Sequence, residues 1–562
     1  MNSRIIKTMV AVSAAMALAL SMSGCGGGSD TGSTSAAPQG SVNISLTDAP
    51  GDFDNVWITV TAVWFHTSDT ASPDDGGWIK YSLSTPVTVD LLTLQNGGLS
   101  QAFSNLTLPQ GTYRQILLFA DGPGATLTGS ASAQQLTYND QVNYQDANNT
   151  EQVAPLEIIN PSKGIDLVGT FAVTSTAALN LALDFNVDRD IIPVFLGTQE
   201  DFILKPRLAY FDLTHTGGIH GSVDCADLLA AGGSGFAYGL VVKAEMPDAN
   251  GTYHTVDRET GLRLNLNSNS CTFTLFPLDI PPGASSASYD VVIRGRAMST
   301  IIVQGVPVQA GTTAATGTAL SADPLPLTQS AEYTANMPVN APLSPTGGDV
   351  QFYQTLPGTS ASYEVRYRAV DPFTGVFGSD EPLSLGAPQV GQYAAGADPV
   401  LAPLTPNEGL GGYLPFGDAP YFTRTAATTG TLIPPSGGTA SFTIGALAIT
   451  APATADSISG TLTQGTAGGY DSGYLIVSHQ GYIVATMSVA AVLALNGGNG
   501  GAYTLANIPG GSSMQTFAAG TYYLQAYVWN SAHPLLTLHR VEGSGVVNLQ
   551  GGSATNVDLS VN

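Results

Sequence analysis

What most constrains the fold of this chain is a pattern it never sustains. No long segment repeats apolar residues at helical spacing between capping residues; short runs of period-two alternation recur instead, separated by turn residues. "SVNISLTDAPGDFDNVWITVTAVWFH", from Ser41 to His66, alternates, turns at Ala49 to Asp52 and alternates again. In its second strand Val56, Ile58, Val60 and Ala62 are expected on one face. "LTLPQGTYRQILLFADG", "TFAVTSTAALNLALDFNVDRDIIPV" and "FILKPRLAYFDL" read the same way. The 65 glycines and 34 prolines supply turns, and 43% hydrophobic content is ample for packed cores, so disorder is excluded. The expected class is all-β, built as tandem β-sandwiches. A chain of 562 residues has room for about four domains.

A recurring phrase marks the later domains. Ile280-Pro281-Pro282-Gly283 leads to "SYDVVIRGRA", Leu356-Pro357-Gly358 to "SYEVRYRAV", and Ile508-Pro509-Gly510 to "YYLQAYVWN". Leu108 to Phe119 is a further instance. Proline and glycine make the turn, and a tyrosine opens the next strand. Two units open alike, with "IHGSV" at Ile219 and "ISGTL" at Ile458. Expected domains are 41–216, 217–310, 311–455 and 456–562, preceded by 1–24 and 25–40.

The first domain carries four ordered motifs: "VNISLTDAP" with "FDNVWITVTAV", Leu108 to Tyr113, "LALDFNVDRDII" and "FILKPRLAYF". On these, residues 41 to 216 resemble a family of bacterial lipoproteins carrying domain of unknown function 4382. That resemblance implies an exported β-sandwich and carries over no catalytic residue. The frame I-x-G-x-V/L, P-x-G, Y-x-V in 217–310 and 456–562 resembles carboxypeptidase-regulatory-like and prealbumin-like sandwiches, whose superfamily includes starch-binding domains.

The N-terminus is read as an export signal. Arg4 and Lys7 precede an apolar run of about 12 residues, Met9 to Leu20, short of the roughly 20 that a spanning helix needs. Ser23 and Gly24 then precede Cys25, which resembles the lipobox of bacterial lipoproteins, with Met22 where leucine is usual. The resemblance implies lipidation of Cys25, with several acyl chains, since one holds only marginally. The glycine-serine tract after it is a flexible tether. Gly26, where an aspartate would favour the inner membrane, implies the outer membrane or cell surface. Removing Cys25 leaves Cys225 and Cys271, an even pair in an exported chain, expected as a disulfide; two buried thiols are the alternative.

Chemistry is harder to find. There are 42 acidic and 17 basic residues, and no basic cluster to neutralise phosphates, so nucleic-acid binding is excluded. No zinc helix, phosphate loop, nucleophile elbow or haem motif is present, and "GGSGF" around Ser234 reads as a loop. His215 and His220, at a domain junction, read as turn residues ahead of a metal pair. Asp48, Asp52 and Asp54 lack a full calcium loop. In "NVDRD", alternation would place Asn186, Asp188 and Asp190 on one strand face, which could gather a calcium ion; they read as ordinary turn or edge polarity ahead of that. No other cofactor is implied. In the strand Tyr522 to Trp529, one face carries Tyr522, Leu524, Ala526 and Val528, the other Tyr523, Gln525, Tyr527 and Trp529. The second face is either a platform for stacking sugars or packing against a neighbouring domain. The matching strand Tyr363 to Arg368 is expected to turn its charges outward.

These features describe a non-catalytic envelope lipoprotein with a binding or structural role, held to the membrane by lipid, with glycans or other envelope proteins as candidate partners. A polysaccharide-binding lipoprotein of an uptake or degradation system is the alternative, and a cryptic extracellular hydrolase the second. Tethering and folding use separate segments, so Cys25→Ala is expected to move the protein from membrane to soluble fractions with its melting temperature unchanged. Fractionation and a thermal melt of the variant check this.

Overall fold

The structure is a computed structural model. It describes residues 38–561 apart from 52, 147, 197–198, 206–207, 225, 227–238, 266–269, 337–347, 376–380, 405–412, 420, 430–438, 445–454, 466–468, 480–481, 510–520, 544 and 550–551. The segment read as an export signal, Cys25, most of the glycine-serine tract, Asp52, Cys225 and Ser234 therefore lie outside the described residues. The chain divides into two compact units, 1–38 and 39–562, and all the sandwiches belong to the second.

The all-β expectation holds. In the first sandwich a four-stranded sheet containing Gln39–Ala49 and Leu179–Asn186 faces an eight-stranded sheet containing Asn55–His66 and Gly111–Ala120. Gln39–Ala49 runs parallel to Leu179–Asn186, Val42 opposite Leu179. Val56, Ile58 and Val60 point into the core as alternation predicts, but Ala62 does not. A bulge between Val60 and Ala62 adds one residue to the strand, and from there Val63 and Phe65 fill the core. Period two cannot foresee such a slip, because one inserted residue inverts every later side chain.

The second sandwich pairs a four-stranded sheet with a six-stranded one, and the fourth a three-stranded with a five-stranded one. Between them lies a seven-stranded sheet that includes Asp349–Thr355 and Ser362–Ala369. The second sandwich extends past residue 310: Leu320, Leu325 and Leu327 pack in its core, and Gln389–Gln392 pairs in parallel with Ile301 to Gln304. The recurrent tyrosine plays one structural part throughout. Tyr113, Tyr289, Tyr363 and Tyr522 are each buried, one in each of four separate hydrophobic cores. The Tyr113 hydroxyl donates to the carbonyl of Pro109, 3.0 Å away, tying the strand to the turn that launched it.

Several strands are buried on both faces, which explains their continuous apolar runs. In "YDVVIR" and "IIVQGV", Val291 and Val303 face the second core while Val292 and Ile302 face Val350, Phe352 and Val365 of the seven-stranded sheet. In "IIPVFL" and "FIL", Ile191, Phe202 and Leu204 face the first core. Ile192, Val194, Leu196 and Ile203 face Ile476, Ile483, Tyr527 and Trp529 of the C-terminal sandwich. The last sandwich is thus packed against the first.

The aromatic strand Thr521–Trp529 sits at this seam, and the exposed platform is not formed. Tyr527 and Trp529 keep 1% and 3% of their surface, Gln525 is buried, and Tyr523 is half-buried with its hydroxyl 3.0 Å from Ser72 Oγ. The strand divides into the two faces that alternation predicts; a neighbouring sandwich covers the second one. Trp529→Ala should cost about 3–5 kcal/mol of folding stability, as large-to-small changes in cores do, measured by chemical or thermal denaturation of the mature chain.

Candidate functional site

The "NVDRD" segment is not a strand. Val187–Asp190 forms a single helical turn at the end of strand Leu179–Asn186, because Asn186 caps it: the Asn186 Oδ1 accepts from the Arg189 amide at 3.2 Å. Asp190 returns the bond, its carboxylate accepting from the Asn186 amide at 2.9 Å. The turn abolishes the one-face alignment of Asn186, Asp188 and Asp190 expected for calcium, and the cations that meet these groups are side chains. Arg368 lies 3.8 Å from Asp188, and the charge of Lys205 acts on Asp190. Burial raises Asp190 to about 7, Lys205 opposing it. No group of metal-ligating side chains occurs among the described residues.

The turn instead delivers Arg189 into a junction of the first sandwich, the second and the seven-stranded sheet. Its Nε donates to Glu259 of the second at 2.8 Å, and its Nη2 donates to Glu364 of the seven-stranded sheet. Lys243, 1% exposed, lies 3.0 Å from Glu364 and 3.4 Å from Glu259. Asn186 Nδ2 donates to the same Glu259 oxygen as Arg189, at 2.7 Å. A few residues away Arg258 donates to Asp184, to Thr47 Oγ1 at 2.9 Å and to the Asp48 carbonyl at 2.6 Å.

Electrostatics follow from this geometry. Burial alone would lift the Glu259 and Glu364 carboxyls, but Arg189 and Lys243 hold both below the usual carboxylate range. Asp48 and Glu245 take no such full compensation: burial pushes both well above that range, with Asp184 adding to the rise at Asp48 and Glu364 at Glu245. The cluster combines ion pairs with carboxyls whose charged form is disfavoured by burial.

A second charged seam joins the first sandwich to the last. Arg540 grips both oxygens of the fully buried Glu157 through Nε and Nη2. Asn160 donates from its amide to Gln525 and from Nδ2 to Ser478, each at 2.9 Å. Asp201, also fully buried, has no hydrogen-bond partner for either carboxylate oxygen among the described residues; burial and then Glu157 push it well above its ordinary range.

Sequence reasoning missed these groups. Glu364 and Arg366, expected outward, are 3% and 9% exposed because the junction covers that face. The available signal was scarcity: of only 17 basic residues, Arg189, Lys205, Lys243, Arg258, Arg368 and Arg540 fall within or beside apolar strands and supply these two seams. Cys271 is buried in the second core; Cys225, its expected partner, lies outside the described residues.

A cleft of about 720 Å³ opens between the first and second sandwiches. Tyr210 and Phe171 form one wall, edge to face at 5.9 Å, and Phe171 stacks on Tyr113 behind it. Gly169 makes this possible: a Cβ there would stand 2.4 Å from the Tyr210 ring. Ile280 to Gly283, one of the recurrent turns, forms the opposite wall, and Asp212, His215 and Asp279 stand at the rim. His215 Nδ1 is 3.1 Å from Asp212, while His220 is set apart on strand Thr216–Asp224.

Residues 39–206 match the sequence profile of the family described as Domain of unknown function (DUF4382), confirming the resemblance read from the first domain. No curated protein matches the chain. Among solved structures, the Bacillus anthracis TIE protein aligns at 9% identity over 95% of this chain and 75% of its own, with a TM-score of 0.15. The shaft pilin SpaA from Lactobacillus rhamnosus GG aligns at 8% identity over 42% of this chain and 98% of its own, with a TM-score of 0.16. A putative adhesin from Bacteroides ovatus aligns at 9% over 51% and 88%, with a TM-score of 0.13. Such low scores carry no functional argument.

The Asp201 environment has a pH consequence. Its carboxyl is raised in the folded state, so the stability it allows is full below the unfolded pKa near 4 and is lost as pH rises. Asp201→Asn removes that loss. Its melting temperature should equal the wild type's near pH 3.5 and exceed it by a margin that grows towards pH 8, read by thermal melts across that range.

Proposed function

We propose that this chain is a non-catalytic, lipid-anchored envelope protein whose sandwiches act as one rigid body presented at the cell surface. The observation that carries the reading is the Arg189 junction, where side chains from two sandwiches and the seven-stranded sheet share one buried ion cluster. A loosely strung array would leave such charges solvated between domains, whereas here they are desolvated only because both sandwiches and that sheet are in place. The Arg540–Glu157 pair, 383 residues apart in sequence, fastens the last sandwich to the first in the same way. The Cys25 anchor and a Cys225–Cys271 bond complete the proposal: the first holds the body to a membrane, the second braces the second sandwich. The aromatic strand offers no face to a sugar, so glycan recognition has no support there.

Calorimetry tests the reading. The mature chain should unfold in a single cooperative transition. Arg189→Met, which leaves Lys243 alone to balance Glu259 and Glu364, should cost about 3–5 kcal/mol, as breaking a buried pair does. Independent transitions in the wild type, left unmoved by the variant, would overturn it.

A further inference from the structure

We propose that the cleft between the first and second sandwiches is a binding site for an ammonium group carried on an apolar body, seated against Tyr210 and Phe171 with its charge at Asp279 and Asp212. The cleft has the size of a small-molecule site, and its character is set by what lines it. Its walls are aromatic and aliphatic, and its charged rim is one-sided. Asp212 and Asp279 line the opening, no Lys or Arg does among the described residues, and His215 is the sole base. Asp279 has no hydrogen-bond or ion-pair partner for its carboxylate among the described residues. Asp257 adds to the imbalance from behind, accepting from the Asp279 amide at 3.0 Å and from the Tyr289 hydroxyl at 2.8 Å.

The carboxyls are close enough to sense one another. Partial burial, then Asp257 and Asp212, raise Asp279, and partial burial, then Asp279 and Asp212, push Tyr210 up to about 12. A cation at the rim would relieve this repulsion, and the aromatic wall below suits it, since ring faces attract cations and apolar stems alike. An anion would meet two carboxylates, and a neutral ligand would leave Asp279 unanswered, whereas Asp212 already has Thr214 and His215 beside it. The Tyr210 wall is also a built feature, because Gly169 alone admits the ring so close to its strand. A free amine and a lysine side chain of a partner protein share this chemistry. The site uses none of the seam contacts, so its failure would leave the rigid-body reading standing.

The test is titration of the mature chain, followed by calorimetry and saturation-transfer NMR, with phenethylammonium, Nα-acetyl-lysine amide and the neutral 2-phenylethanol. At least one ammonium probe should bind saturably, with 2-phenylethanol about tenfold weaker or more, a gap of about 1.4 kcal/mol. Preference for phenethylammonium assigns a free amine, and preference for the lysine probe assigns a side chain. Asp279→Asn should weaken binding by a similar factor without lowering the melting temperature, and Gly169→Ala, which displaces Tyr210, should weaken it as well. No saturable binding of either ammonium, equal binding of the alcohol, or unchanged affinity in Asp279→Asn would overturn the proposal.

Discussion

Arg189 is the contact on which the arrangement of this molecule depends. Its guanidinium touches Glu259 of the second sandwich and Glu364 of the seven-stranded sheet, while its own backbone belongs to the first sandwich. Both carboxylates are buried, and neither could remain ionised there without Arg189 and Lys243. A buried pair adds little net stability over an apolar substitute, but it is unforgiving of misplacement, because a stranded charge costs several kcal/mol. Such a junction specifies how the sandwiches sit more than how strongly they hold.

Adhesion between the sandwiches comes from apolar burial beside the ions. The strands of "YDVVIR" and "IIVQGV" have one row of side chains in the second core and the other against the seven-stranded sheet. Those of "IIPVFL" and "FIL" do the same between the first and last sandwiches. Each two-faced strand removes apolar surface from water at about 25 cal/mol per Å² on both sides. The charged groups at the margins fix register where apolar contact alone would tolerate sliding. The two kinds of contact divide the work between affinity and specificity.

The cleft follows from the same packing. The first and second sandwiches meet at the Arg258 and Arg189 contacts, and the Ile280 to Gly283 turn lies across from Tyr210 and Phe171. The recurrent proline-glycine turn therefore has a second use. In the first domain its tyrosine closes back on Pro109, and in the second the turn itself becomes a wall.

Local pattern determined the strands, the turns, the tyrosine that opens the strand after each recurrent turn and the division of Tyr522 to Trp529 into two faces. These are properties of neighbours in sequence: period two sets which side chains share a face, and proline and glycine set where the chain reverses. Tertiary structure decided what covers each face. Alternation cannot report that Trp529 meets Ile192 and Val194, because a second face buried by a distant sandwich has the same period as one left in water. Nor can it foresee the bulge after Val60, which turns Val63 and Phe65 inward, or the capped turn that converts the acids of "NVDRD" from a row into a mount for Arg189. The partners of that arginine lie 70 and 175 residues away, and only the packing of two sandwiches and the seven-stranded sheet brings their carboxylates to it.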